Sequence, residues 1–122
     1  MELADPPRLI CASASLRDGD RGVRFSVRRA GRVLPAFAIR YDGHVHAYLN
    51  HCAHVPVELD WVEGEFFDTA GLYLVCATHG ATYEPDSGIC VMGPCKGRRL
   101  TALAVTERDG GIYFRDGDQD HG

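Results

Sequence analysis

Between Gly22 and Arg29 the chain alternates, with Val23, Phe25 and Val27 set between Arg24, Ser26 and Arg28. A period of two predicts a half-buried β-strand. Leu9 to Ser13 is a short apolar run. Val33 to Tyr41 is a longer one, in which Pro35 predicts an edge position or a bulge. Asp42-Gly43 then parts two strand-like runs, the strongest short hairpin signal, so Val45 to Leu49 reads as the return strand. Leu72-Tyr73-Leu74-Val75, entered through Gly71, reads as another strand. Leu100 to Thr106 and Ile112 to Arg115 flank Asp109-Gly110-Gly111, a second hairpin. No segment has a convincing helical period, and Val57 to Glu65 has room for at most a short helix. Short strands, frequent glycines and hairpin turns together predict an all-β sandwich or barrel.

The chain has 122 residues, so residues 1–122 are expected to form a single domain, with residues 1–7 and 116–122 as frayed ends. A hydrophobic share of 45% supports an ordinary core. No apolar run approaches the roughly 20 residues that span a bilayer. The start, Met1-Glu2-Leu3-Ala4-Asp5-Pro6-Pro7, places acid and proline where a secretion signal has base and an apolar stretch. The expectation is a cytoplasmic protein that does not engage a membrane.

Charge changes that picture in one respect. Residues 1–40 carry eight arginines against four acids, a net of +4, whereas residues 41–95 carry eight acids and no Lys or Arg. An acidic middle does not suit nucleic acid, which calls for a basic face. It suits either docking to a positively charged protein or a plain solvated surface.

Five cysteines, an odd number with no secretion signal, argue against a disulfide framework. Two ligand-like pairs stand out: Cys52-Ala53-His54, and Cys76-Ala77-Thr78-His79, with twenty-one residues between His54 and Cys76. Each follows a predicted strand, so each would sit on a loop held by β scaffold. Structural zinc prefers pairs spaced by two to four residues, which makes Cys-x-His tight for one ion. Two neighbouring irons suit it better, because Cys and His need not converge on one atom. A centre with two cysteines on one iron and two histidines on the other meets that need. Spacing alone leaves zinc open.

The wider run closely resembles the Rieske family, and most of all its small ferredoxins. It comprises Asn50-His51-Cys52-Ala53-His54, Cys76 to Tyr83, Asp86-Ser87-Gly88, Gly93-Pro94-Cys95 and Leu100, within roughly residues 32–115. The resemblance implies an antiparallel β-sandwich or barrel with two cluster-binding loops and a Rieske-type [2Fe–2S] cluster. It implies Cys52 and Cys76 as thiolate ligands of one iron, and His54 and His79 as imidazole ligands of the other. Gly93-Pro94 matches the proline-bearing loop that covers the cluster from a third side. Gly80 matches the glycine that lets backbone amides approach the sulfides. Respiratory members carry a further cysteine in each ligand loop, joined as a disulfide; Val57 and Thr78 or Ala77 stand there instead. High-potential members place Ser two residues after the second His, where this chain has Ala81, while the tyrosine position is kept as Tyr83. With one of two such hydrogen bonds missing, a potential in the low half of the Rieske range, about −150 to +300 mV, is expected.

The spacer is long for a compact ferredoxin. Residues 58–68 hold five acids, Trp61 and the Phe66-Phe67 pair. They read as a surface loop whose phenylalanines tuck into the core, or as a docking lip beside the cluster, with Trp61 open to either role. Cys90 and Cys95 read as small buried packing residues, with a redox-active pair as the rarer alternative. Cys11 reads as structural. His44 and His46 share one strand face and read as surface histidines, and His51 as a neighbour of the site. The expected role is a soluble electron carrier without a substrate site of its own, taking electrons from a flavin reductase and passing them to an oxygenase-type acceptor at the cluster tip. A full oxygenase needs a second domain with a mononuclear iron, which these residues do not encode. The alternatives are a small subunit or redox-sensing module of a larger enzyme, and a zinc module without redox activity.

Overall fold

The computed structural model describes residues 8–53, 57–60, 62–78 and 80–114. Among these, the regular structure is almost all strand: β1 (Arg8–Ala12), β2 (Val23–Arg29), β3 (Arg32–Tyr41), β4 (His44–Leu49), β5 (Leu74–Val75), β6 (Thr82–Tyr83), β7 (Cys90–Met92), β8 (Ala102–Leu103), β9 (Val105–Arg108) and β10 (Gly111–Phe114). A single 3-10 turn, Ser13–Ser15, interrupts them. The strands form three antiparallel sheets, in the orders β1-β10-β9, β2-β3-β4-β8 and β5-β6-β7.

The alternation in β2 is realised: Val23, Phe25 and Val27 turn inward while Arg24, Ser26 and Arg28 face water. In β3, Ala36, Phe37, Ala38 and Ile39 are all fully buried, so this strand is covered on both faces. Successive side chains enter different cores. Phe37 and Ile39 join Tyr48, Leu59, Phe66, Leu74 and Tyr83 on one side. Ala36 and Ala38 join Ala47, Leu103, Ile112 and Phe114 on the other. The β2-β3-β4-β8 sheet thus separates an apolar core shared with β1-β10-β9 from a second core that contains Cys52, Cys76, Cys90 and Cys95.

The Asp42-Gly43 hairpin is present, with φ of 52° and 81° at its two residues. The same geometry recurs at Ala30-Gly31 and Asp109-Gly110, so a β2–β3 hairpin joins the two expected. Gly111 belongs to β10 rather than to its turn.

Three expectations change. Pro35 lies inside β3, opposite Ser26 of β2, with no register shift there and hence no bulge. It is tolerated because it falls one residue past the last β4 partner, and its carbonyl still accepts from the Asn50 amide at 2.8 Å. The strand expected at Leu72 to Val75 begins only at Leu74, because the Asp68 carboxylate takes the amide of Leu72 at 2.9 Å and turns the chain. The run Leu100 to Thr106 divides at Ala104 into β8 and β9, which pair in different sheets. The described residues of 57–65 form loop, within the expectation of at most a short helix. No helix is long and apolar enough to cross a membrane among the described residues.

Candidate metal centre

Cys52 lies three residues beyond β4. Its amide donates to the Val57 carbonyl at 2.7 Å, which closes a short loop. A buried polar clamp holds the base of that loop. Asn50 donates through Nδ2 to Asp60 at 3.0 Å and accepts from the Leu59 amide at 2.8 Å. Asp60 in turn accepts from the Gly64 amide at 3.0 Å and lies 3.5 Å from Arg24 Nε. Burying Asn50 and Asp60 is tolerable because their polar atoms find partners. Asn50 belongs to the motif that carries the family resemblance, but nothing in the sequence pairs it with Asp60, ten residues away.

Cys76 follows β5 directly. Its amide donates to Ala81 and its carbonyl accepts from Gly80, both at 2.8 Å, so the second loop is also tied across its mouth. Gly80 has φ of +72°, a conformation that favours glycine, although a Cβ there would meet no neighbouring atom. Ala77 donates to Leu59 at 3.0 Å and joins the second loop to the first. Cys52 and Cys76 are 4% and 0% exposed and share one core. His54 and His79 lie outside the described residues, as does Trp61. Among the described residues, no three His, Cys, Asp or Glu side chains gather as a metal-ion site.

A third segment closes on the second loop. Gly93, with φ of +104°, packs so tightly that a Cβ would stand 2.9 Å from the Cα of Ala81. The exposed Pro94 follows it. Beneath lies Tyr83, fully buried. A register shift between β6 and β7 at Thr82/Tyr83 sets Tyr83 opposite Cys90. Its hydroxyl accepts from the Ala53 amide at 2.9 Å and lies 3.2 Å from Cys52 Sγ and 3.3 Å from Cys95 Sγ. Burial drives the Tyr83 hydroxyl pKa far above its ordinary value, so it stays a protonated donor.

The chain matches the family model described as the Rieske [2Fe-2S] domain over residues 7–107. It belongs to that family. The Rieske fold recurs in solved structures: the chain is 22% identical to a ferredoxin of carbazole 1,9a-dioxygenase from Nocardioides aromaticivorans IC177, with a TM-score of 0.70 over 91% of this chain and 98% of that one. A chain from a complex of reduced oxygenase and oxidised ferredoxin in carbazole 1,9a-dioxygenase is 23% identical, with a TM-score of 0.67 over 88% and 91%. A terminal oxygenase of carbazole 1,9a-dioxygenase from Novosphingobium sp. KA1 is 27% identical, with a TM-score of 0.66 over 95% of this chain but only 30% of its own. No match is found among curated protein sequences.

A Rieske-type [2Fe–2S] cluster is the group this family carries, and the donor chemistry fits it. Two buried sulfurs stand at the mouths of two tied loops, soft donors of the kind that iron–sulfur clusters take. The Tyr83 hydroxyl lies 3.2 Å from one of those sulfurs, where it can donate to a sulfur that carries charge. Thiolate donors alone would suit zinc as well, and it is the family match that sets the zinc reading aside.

The other candidates settle into packing roles. Phe66 stacks on Phe37 at 4.0 Å and 13°, and Phe67 lies 6.4 Å from Tyr41, so the pair tucks into the core. Arg24 pairs with Glu58 and approaches Asp60, and Arg21 lies 3.7 Å from Glu65. The basic first third of the chain thus folds back on the acidic spacer and offsets part of the charge read as a docking field. His44 is exposed, while burial lowers the pKa of the half-buried His46. Cys11 is half-buried, and desolvation raises its thiol pKa.

Proposed function

We propose that this Rieske chain is a soluble, cytoplasmic one-electron carrier built as one domain, with its cluster held by Cys52, Cys76, His54 and His79. The observation that carries the reading is that Cys52 and Cys76 are buried in one core on two tied loops, the first of which meets the Tyr83 hydroxyl, in a chain of the Rieske family. When bound, the cluster supplies one-electron redox chemistry. The chain's residues do the rest. Cys52 and Cys76 would give thiolates from inside the core, and His54 and His79 would give neutral imidazoles. Tyr83 donates to Cys52 sulfur, and the Asn50–Asp60 clamp fixes the first loop. The ferredoxin and ferredoxin–oxygenase neighbours support an oxygenase-type acceptor. A flavin reductase is the donor class that fits a carrier of single electrons.

The match to a portion of a terminal oxygenase supports a second reading, in which this unit serves inside a larger assembly. One experiment addresses both. Anaerobically purified protein, reduced with dithionite, is expected to give a rhombic EPR signal with the low average g of histidine-ligated clusters, at two irons and two sulfides per chain. Cys52→Ser should abolish it. A sample holding one zinc and no sulfide would refute the carrier reading. Persistent co-purification with a large partner would favour the assembly.

A further inference from the structure

Two cysteines outside the proposed ligand set lie closer together than packing requires. Cys90 in β7 and Cys95 in the following turn are each 1% exposed, and their sulfurs are 2.9 Å apart. We infer that Cys90 and Cys95 form a reversible disulfide, and that this pair governs how fully the Tyr83 hydroxyl is given to Cys52.

The backbone already holds both residues for closure. Cys90 donates to Arg98 at 2.7 Å and accepts from Gly97 at 2.9 Å, while the Cys95 carbonyl accepts from Arg98 at 2.8 Å. The sulfurs therefore need to approach by only about 0.9 Å to reach disulfide length. Side-chain rotation supplies that within a turn whose ends stay fixed. Residues 93, 94 and 96–99, beyond the end of β7, are exposed, so local opening of this turn uncovers Cys95. The oxidant is a low-molecular-weight disulfide. Its S–S bond breaks, one S–S bond forms between Cys90 and Cys95, and the two electrons and two thiol protons leave with the released pair of small thiols.

The link to the centre is Tyr83, which has one hydroxyl hydrogen and two sulfurs within reach, at 3.2 Å and 3.3 Å. In the dithiol state Cys95 competes for that hydrogen. Closure draws Cys95 sulfur toward Cys90 and leaves it a poorer acceptor, so the hydroxyl turns to Cys52. A hydrogen bond to a ligand sulfur favours the more negative, reduced state. Oxidising the pair therefore raises the cluster midpoint. This second clause rests on the ligand assignment proposed above; the first does not.

The test uses purified holoprotein equilibrated without oxygen in glutathione buffers from reducing to oxidising, then acid-quenched, alkylated and cleaved at acidic residues. The fragment bounded by Asp86 and Glu107 contains Cys90 and Cys95 and no other cysteine. Expected is a conversion of that fragment from doubly alkylated to unalkylated and two hydrogens lighter, reversed by reductant and lost in Cys90→Ser and in Cys95→Ser. A fragment that stays doubly alkylated in the most oxidising buffer, or that takes up glutathione on both cysteines, overturns the pair. The midpoint is then measured by EPR in both states. An upward shift that Tyr83→Phe removes supports the coupling, and an equal midpoint in the two states overturns it. Protein that binds no iron would refute the proposed function, yet its fragment would still report on the pair.

Discussion

The hydroxyl of Tyr83 reaches Cys52 sulfur, 3.2 Å away, from a different sheet and thirty-one positions along the chain. No local turn could supply this contact to the first loop. The fold spends a fully buried tyrosine on it, and the Ala53 amide orients the oxygen from the other side. Hydrogen bonds to ligand sulfur weigh more in the reduced state, where the charge is greater. Tyr83→Phe should therefore lower the midpoint by about 20–60 mV, the one-electron equivalent of about 0.5–1.4 kcal/mol. Redox titration of wild type and variant side by side reads this directly, and an unchanged midpoint would remove Tyr83 from the tuning of the site.

What the sequence disclosed follows from how local each signal is. The period-two run in β2 and the Asp42-Gly43 turn are written in adjacent residues, so they could be read at once. The Ala30-Gly31 turn uses the same positive φ values but puts Ala first, where Asn or Asp advertises the conformation. The two-residue strand β6 exists through its pairing with β5 and β7 and leaves too short a pattern to detect, whereas β5 and β8 fall inside longer runs already legible as strands. The ligand pairs were legible because Cys-x-His and Cys-x-x-His are rare and carry their own chemistry. The Asn50–Asp60 clamp and the meeting of Tyr83 with Cys95 depend on sheet register, which one sequence does not print.

Asn50 offers a test of that hidden clamp. Asn50→Ala removes the acceptor of the Leu59 amide and a donor to Asp60, leaving buried polar atoms without partners. The expected loss is about 2–4 kcal/mol in denaturant unfolding. Because Leu59 also accepts from Ala77, both ligand loops should loosen, and the cluster should be lost faster to a chelator. A stable variant that keeps its cluster as wild type does would show that the clamp is dispensable.

Acid sensitivity should come in part from Glu107. Two hydrogen bonds from Arg40, at 3.0 and 2.6 Å, hold its carboxyl below the ordinary value of 4.5. A pKa lower in the folded state gives stability that is present above the unfolded value and lost as pH falls through the folded one. Wild type should lose stability as pH drops below about 4.5, and Glu107→Gln should lose less over the same interval. Urea midpoints of the two proteins at about pH 6 and about pH 3.5 make the comparison. Equal acid losses would show that the pair with Arg40 does not contribute.

Two glycines in one turn separate backbone strain from crowding at the metal centre. Gly93 and Gly97 both have positive φ, +104° and +93°. A Cβ on Gly97 would meet nothing, whereas a Cβ on Gly93 would press on the backbone of Ala81 at 2.9 Å, and that backbone closes the Cys76 loop. Gly97→Ala should cost only the strain of its conformation, about 1 kcal/mol. Gly93→Ala carries the same strain and must also push the proline-bearing segment off the second loop, for a total of about 3 kcal/mol. The sharper difference is in the cluster. Visible circular dichroism should show Gly97→Ala retaining wild-type intensity and a wild-type rate of bleaching in air. Gly93→Ala should bleach several-fold faster, because water and oxygen gain a path where backbone met backbone. If both variants bleach alike, the contact between Gly93 and Ala81 does not shield the centre, and the glycine serves the turn alone.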